Sequence, residues 1–158
     1  MDIQIIAVGQ LKSGWLTDAC EDYMRRLTPL AQIRIVEIKE EPLPSKPLPN
    51  EIISALSKEA KQIIKRLPLH TAVIPLAIEG KIISSEEFAL YMEEQRSHSM
   101  DICFIIGSSH GLGAEIKAAA SWCLSLGLMT LPHQLSRIVL LEQLYRAHTI
   151  LGHIPYHK

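Results

Sequence analysis

No stretch of the 158-residue chain approaches the ~20 uninterrupted apolar residues that a membrane span needs, which excludes a transmembrane helix. The opening Met1-Asp2-Ile3-Gln4-Ile5 has neither a basic region nor a small-residue cleavage site. No signal peptide is expected, and the protein reads as cytoplasmic. Cysteine is scarce. Cys20, Cys103 and Cys123 are odd in number and form no C-x-x-C pair, which argues against a disulfide framework or a tetrahedral zinc site. Buried, reduced thiols are the expectation. No H-x-x-x-H pair falls on a predicted helix, so no metal constellation is apparent. The G-x-G-x-x-G dinucleotide fingerprint, the P-loop G-K-[ST] and the G-x-S-x-G nucleophile elbow are all missing. Charge of one sign is also lacking: a net −1 does not advertise a nucleic-acid binder.

What is present is a folded α/β chain. Hydrophobic residues at 47% and charged residues at 21% exclude disorder, and the length fits one domain, residues 1–158. Ile3–Val8, Ile33–Ile38, Ala72–Ala77, Ile102–Ile106 and Leu128–Leu131 read as strands. Helical spacing marks Trp15–Leu27, Glu51–Leu67, Ser84–Arg96, Ala114–Leu124 and Ser136–Leu151. Asn50 is the expected N-cap of the second helix, and Ser84-x-x-Glu87 matches a capping box for the third. Glu79-Gly80 reads as a turn, and Pro75 hints at a strand edge or end. Four prolines between Glu40 and Asn50 make an extended loop. Strand–helix alternation of this kind predicts a mainly parallel sheet with flanking helices.

Ligands of open α/β sheets bind beyond the carboxyl ends of strands. That points to the loops after Leu76, after Ile106 and around Leu131. The segment Gly107-Ser108-Ser109-His110-Gly111-Leu112-Gly113 stands out, because its glycines let backbone approach a ligand closely. A plain tight turn accounts for the glycines equally well. Ser136–Leu151 is apolar nearly all round, so part of it fits a subunit interface. Within it Glu142 and Arg146 have the spacing of an ordinary i,i+4 ion pair. Charge is uneven along the chain: Ser84–Glu115 has six acids and one base, whereas Ala118–Lys158 has three bases, one acid and four of the seven histidines. An anionic partner would meet the carboxyl-terminal end. The tail His153-Ile154-Pro155-Tyr156-His157-Lys158 combines a ring, two imidazoles and a cation, the parts used on single-stranded or flipped-out RNA.

Several motifs belong together. They are Ile105-Ile106-Gly107-x-x-x-Gly111-Leu112, Leu128-Met129-Thr130-Leu131-Pro132-His133, Arg137, Glu142-x-x-Tyr145-Arg146-Ala147 and Pro155-Tyr156-His157-Lys158, with Ile6-Ala7-Val8-Gly9 and Tyr23-x-x-Arg26. In combination they resemble the ribosomal RNA large subunit methyltransferase H family of SPOUT methyltransferases, over essentially the whole chain. Ser108 stands where that family usually has a second glycine, and His110 where it often has an acidic or amide residue. Ile154 replaces an imidazole of the family's tail.

The resemblance implies a homodimer with a carboxyl-terminal trefoil knot that holds S-adenosyl-L-methionine. It implies methylation at N3 of a pseudouridine in 23S ribosomal RNA on the assembled ribosome, with no membrane or metal. Carried over by position, Leu76, Gly107, Leu126, Gly127, Leu128, Met129, Thr130 and Leu131 would surround the cofactor. His157, Tyr156, Arg137 and Glu142 would form the catalytic set, with Arg146, Lys158 and His133 on RNA. An imidazole suits removal of the N3 proton near neutral pH, which favours His157 as base. Two alternatives stay open: a SPOUT enzyme acting on transfer RNA, and a non-catalytic ribosome-binding protein.

Overall fold

A computed structural model describes residues 1–157. Its strands are β1 (Asp2–Val8), β2 (Gln32–Ile38), β3 (Thr71–Ile82), β4 (Asp101–Ile106) and β5 (Leu124–Ser125). Its helices are α1 (Gly14–Leu27), α2 (Pro49–Ile64), α3 (Ser85–Ser97), α4 (Ala114–Ala119) and α5 (His133–Leu151). All strand pairs are parallel, in the order β2-β1-β4-β3-β5. No helix among the described residues is long and apolar enough to cross a membrane.

The two-residue period of β1 and β4 builds two apolar layers. Ile3, Ile5 and Ala7 of β1, with Ile102, Phe104 and Ile106 of β4, pack on one face with α1, α3 and α5. Ile6 and Val8, with Cys103 and Ile105, pack on the other face with α2 and α4. This two-sided burial explains why both strands read as unbroken apolar runs. Phe88 of α3 meets Phe104 with ring centroids 5.9 Å apart. Cys20 and Cys103 are buried, while Cys123 is half-buried, and all three are free thiols.

Three local expectations are corrected. The chain does not turn at Glu79-Gly80; β3 runs on to Ile82, because its second half pairs with β5 after a register shift between Leu76 and Lys81. Helix α4 stops at Ala119 and does not reach Leu124. Ala120 is extended, Trp122 packs edge-on against Tyr91 at 5.1 Å, and Leu124 enters the core as the start of β5. Tertiary burial of those two side chains overrides the helix preference of the alanine run. Leu128–Leu131 is accordingly no strand; the strand falls four residues earlier, at Leu124–Ser125.

Smaller adjustments concern helix starts. Leu48, not Asn50, caps α2, with Pro49 at the first helical position and the Leu48 N–H donating to Glu51 at 2.7 Å. The Ser84 capping box forms as predicted: the Glu87 N–H donates to Ser84 Oγ at 3.1 Å and the Ser84 N–H to Glu87 Oε2 at 2.7 Å. Helix α5 begins at His133, three residues before the predicted start. The hint at Pro75 holds in that β5 pairs with β3 only from Leu76 onward.

The closest backbone approach in the sheet is at Gly80. A Cβ there would lie 2.6 Å from the Cys123 carbonyl oxygen and 2.8 Å from the Leu124 carbonyl carbon. The Lys81 N–H donates to that same Cys123 oxygen at 2.8 Å. Gly80→Ala is therefore expected to lower the unfolding free energy by about 1–3 kcal/mol, the range for forced overpacking. Urea unfolding monitored by Trp122 fluorescence checks this, and an unchanged midpoint would contradict it.

Candidate active site

Beyond the carboxyl end of β4, beside the second half of β3, lies a cavity of about 710 Å³. Three segments wall it: Leu76–Glu79 from β3, Ile106–Leu112 after β4, and Leu124–His133 between β5 and α5, with Leu128 excepted. Two of these, after β4 and before α5, fall at loops picked out in the sequence; the segment after Leu76 is no loop but the continuation of β3, which pairs with β5. Leu76, Gly107, Leu126, Gly127, Met129, Thr130 and Leu131 line the cavity together. Leu128 is not among the lining residues, and its side chain is 87% exposed. Lys117 and Glu79 form an ion pair at the cavity wall, and Lys117 holds the Glu79 carboxyl below its ordinary range.

Local sequence explains the shape of the middle segment. Gly107 passes directly under Gly111: a Cβ on Gly107 would meet the Gly111 oxygen at 2.1 Å. Gly111 has φ +89°, a conformation open to glycine, and its N–H donates to the Ser108 carbonyl at 3.0 Å. A side chain on Gly107 would thus collide with the loop's own backbone before it met any ligand. The third segment is held by Ser125, whose Oγ donates to the Gly127 carbonyl at 3.0 Å. A Cβ at Gly127 would meet nothing within 4 Å, so backbone there is open to a ligand.

A second polar cluster lies on α5, α3 and the tail, apart from the residues that line the cavity. Glu142 Oε1 accepts from Arg146 Nε at 3.0 Å and from the Tyr156 hydroxyl at 3.1 Å. The Arg146 guanidinium sits 4.8 Å from the Tyr156 ring centroid, and Tyr145 meets the same ring edge-on at 4.8 Å. Burial, then hydrogen bonds with Tyr23 and Glu142, push the Tyr156 phenol up to about 12, so it is a neutral donor at neutral pH. His157 lies between Arg146, 3.3 Å from Nδ1, and Glu86, 2.7 Å from Nε2. Arg146 can only donate and the Glu86 carboxylate can only accept, so Nδ1 is the acceptor and Nε2 carries the proton. Lys158 lies outside the described residues.

The chain matches the family described as "Predicted SPOUT methyltransferase" over residues 1–157. It is 40% identical, over the full length of both chains, to the Ribosomal RNA large subunit methyltransferase H of Carboxydothermus hydrogenoformans. It belongs to the SPOUT methyltransferase family. Relatives bearing the same name in Streptococcus equi subsp. zooepidemicus and Listeria welshimeri are 44% and 42% identical, again over the full length of both chains. In fold it is similar to a tRNA (m1G37) methyltransferase from Aquifex aeolicus. The TM-score is 0.52 at 12% identity, covering 92% of this chain and 70% of that one. The likeness fits the knotted carboxyl-terminal half of SPOUT proteins.

Two residues fall elsewhere in this SPOUT fold than the sequence predicts. Arg137 does not face outward; it is 2% exposed. Its guanidinium pairs with Glu37 at the end of β2 and donates to the Gly9 carbonyl at 2.9 Å. Its Nε has no partner among the described residues. A phosphate could reach this cation only by displacing Glu37. His133 is half-buried at the start of α5, lines the cavity, and has its ring near Gly9 and Glu40. Burial, the largest influence, lowers its pKa. The partners Glu37 and Glu86 give no signal in the sequence, because each meets its site residue across a long separation.

Arg137→Met removes the cation that ties α5 to β2 and to the Gly9 turn. Glu37 is partly exposed and can rehydrate, which tempers the loss of a buried pair. Stability is expected to fall by about 2–3 kcal/mol in urea unfolding. A variant as stable as the parent would show that the pair does not hold α5 in place.

Proposed function

We propose that the protein transfers a methyl group from S-adenosyl-L-methionine to N3 of a pseudouridine in 23S ribosomal RNA. It does so on the assembled ribosome in the cytoplasm, as a homodimer. Family membership and the names of the full-length relatives support methylation of ribosomal RNA. The observation that carries the reading is the cavity itself. Its volume lies within the ordinary range for a small-molecule site, it stands at the strand ends, and it combines Leu76, Leu126 and Leu131 with exposed backbone. Such a lining suits an adenine and a methionine chain, with glycines at 111 and 127 letting backbone groups come close. The cofactor, when bound, supplies a methyl on a sulfonium, which is a good leaving group.

The protein's own residues then orient the acceptor and remove its proton. His157 Nδ1 takes the N3 proton once the Arg146 N–H has moved aside to a phosphate. Glu86, already bonded to Nε2, stabilises the resulting imidazolium. Tyr156, a neutral phenol anchored to Glu142, positions the base by stacking. Arg146 and Lys158 bind phosphate, and His133 stands at the cavity wall. One subunit keeps its tail cluster apart from its cavity lining. A dimer in which one tail meets the other subunit's cavity brings donor and base together, although the apolar residues of α5 are largely packed into its own subunit's core and leave no broad greasy face.

His157→Ala is expected to lower the single-turnover methyl transfer rate to ribosomes by about 100-fold or more, the lower end for a general base. Affinity for S-adenosylmethionine should change little. Mass spectrometry of the ribosomal RNA product should place the methyl on a pseudouridine of 23S RNA. Methylation of transfer RNA instead, or a rate unaffected by the substitution, would contradict the reading.

A further inference from the structure

Glu59 is a buried carboxylate that the reaction does not use. It lies on α2, 3% exposed, on the sheet face opposite α1, α3 and α5. A buried carboxylate is costly unless hydrogen-bonded. Glu59 accepts the Ser108 hydroxyl at 3.0 Å and the Glu41 N–H at 2.9 Å. Among the described residues it forms no ion pair, and the charges that act on it, Glu40 and Glu41, are acids, the latter itself paired with Lys58 at 3.7 Å. An apolar side chain at this place would stabilise the fold more cheaply. The geometry therefore calls for a purpose that a carboxylate serves and an apolar group does not.

That purpose lies in Ser108. Its carbonyl accepts the Gly111 N–H and closes the cavity turn, while its side chain leaves the turn and reaches α2. The backbone bond fixes the turn's shape. The side-chain bond fixes where the turn sits. Ser109 adds a second, exposed tether, donating to Glu40 at 3.1 Å. Both serines follow Gly107, whose contact with Gly111 leaves no slack at the base of the loop. The extra hydroxyl at 108, where the family usually has glycine, thus has a built acceptor in this chain.

We propose that Glu59 is a positioning residue for the cofactor loop: through the Ser108 hydroxyl it holds Gly107–Gly113 in the shape that receives S-adenosylmethionine. The inference rests on the assignment of the cavity to that cofactor. A loop held in the binding shape escapes the affinity loss that comes from populating other shapes.

The test combines calorimetric titration with S-adenosylmethionine and amide hydrogen exchange of the unliganded protein, for Ser108→Ala, Glu59→Leu and the double variant. Leu keeps most of the volume of Glu59 and can accept no hydrogen bond from Ser108. Ser108→Ala is expected to weaken cofactor binding about tenfold, as for the loss of a bond to a charged acceptor, and to speed exchange in residues 107–113. The double variant should bind no more weakly than the weaker single variant, since both remove one bond. Ser108→Thr, which keeps the hydroxyl, should restore affinity. Methyl transfer at saturating cofactor should stay within about twofold of the parent, which separates binding from chemistry. Parental affinity and parental loop exchange in both single variants, or fully additive losses, would overturn the proposal. If the parent protein fails to bind S-adenosylmethionine, the assignment of the cavity falls, and faster loop exchange in Ser108→Ala still decides whether the tether holds the loop.

Discussion

The backbone crossing at Gly80 is the constraint on which the site depends. Cys123 and Leu124 lie against a residue with no side chain, close enough that any Cβ would collide with them. That contact lets β5 join the far half of β3 beyond the point where β4 has ended. Residues 124–133 are thereby delivered beside the second half of β3 and the loop that leaves β4. Without the crossing, that loop and the second half of β3 would face solvent with no third wall.

Helix α5 links this cavity to the rest of the molecule. Its first turn carries His133 at the cavity wall, and its middle carries the Glu142–Arg146 pair that organises Tyr156. Between them Arg137 fastens the helix to the Gly9 turn and to β2. The same helix is thus positioned by one buried cation and carries another, only partly buried, in the tail cluster. The distinction matters for charge: the chain is near neutral, and Arg137 and Arg146 are both committed to internal partners. Recognition of an anionic substrate must rest on shape and on few cations rather than on a broad basic surface.

The central strands and most helices were legible because local pattern and tertiary burial agree there. Ile3–Val8 and Ile102–Ile106 are buried on both faces, and Ser84-x-x-Glu87 caps its helix in the way its spacing indicates. The stretch from Ala114 to Leu131 was not legible. Its alanines favour helix, but Trp122 and Leu124 find their burial only in an extended chain. A two-residue strand leaves no periodicity to read. Two of the cavity walls were found as loops because strand ends and glycines are local signals; the third, Leu76–Glu79, lies within β3, whose second half pairs only with the two-residue β5. The tail residues came from motif resemblance. The acids that hold the site were invisible, since Glu59 meets Ser108 at a separation of 49 residues, His157 meets Glu86 at 71 and Arg137 meets Glu37 at 100.

In one subunit the imidazole proposed as base has both nitrogens engaged, and it stands apart from the residues that line the cavity. The account therefore requires a second subunit to complete each site. A crystal structure of the protein grown with S-adenosylmethionine tests this most directly. The account predicts the ligand among residues 76–79, 106–112 and 124–133 of one subunit, with the tail of a second subunit nearest its methyl group. A ligand bound outside those three segments, or a site closed by the tail of its own subunit, would contradict it.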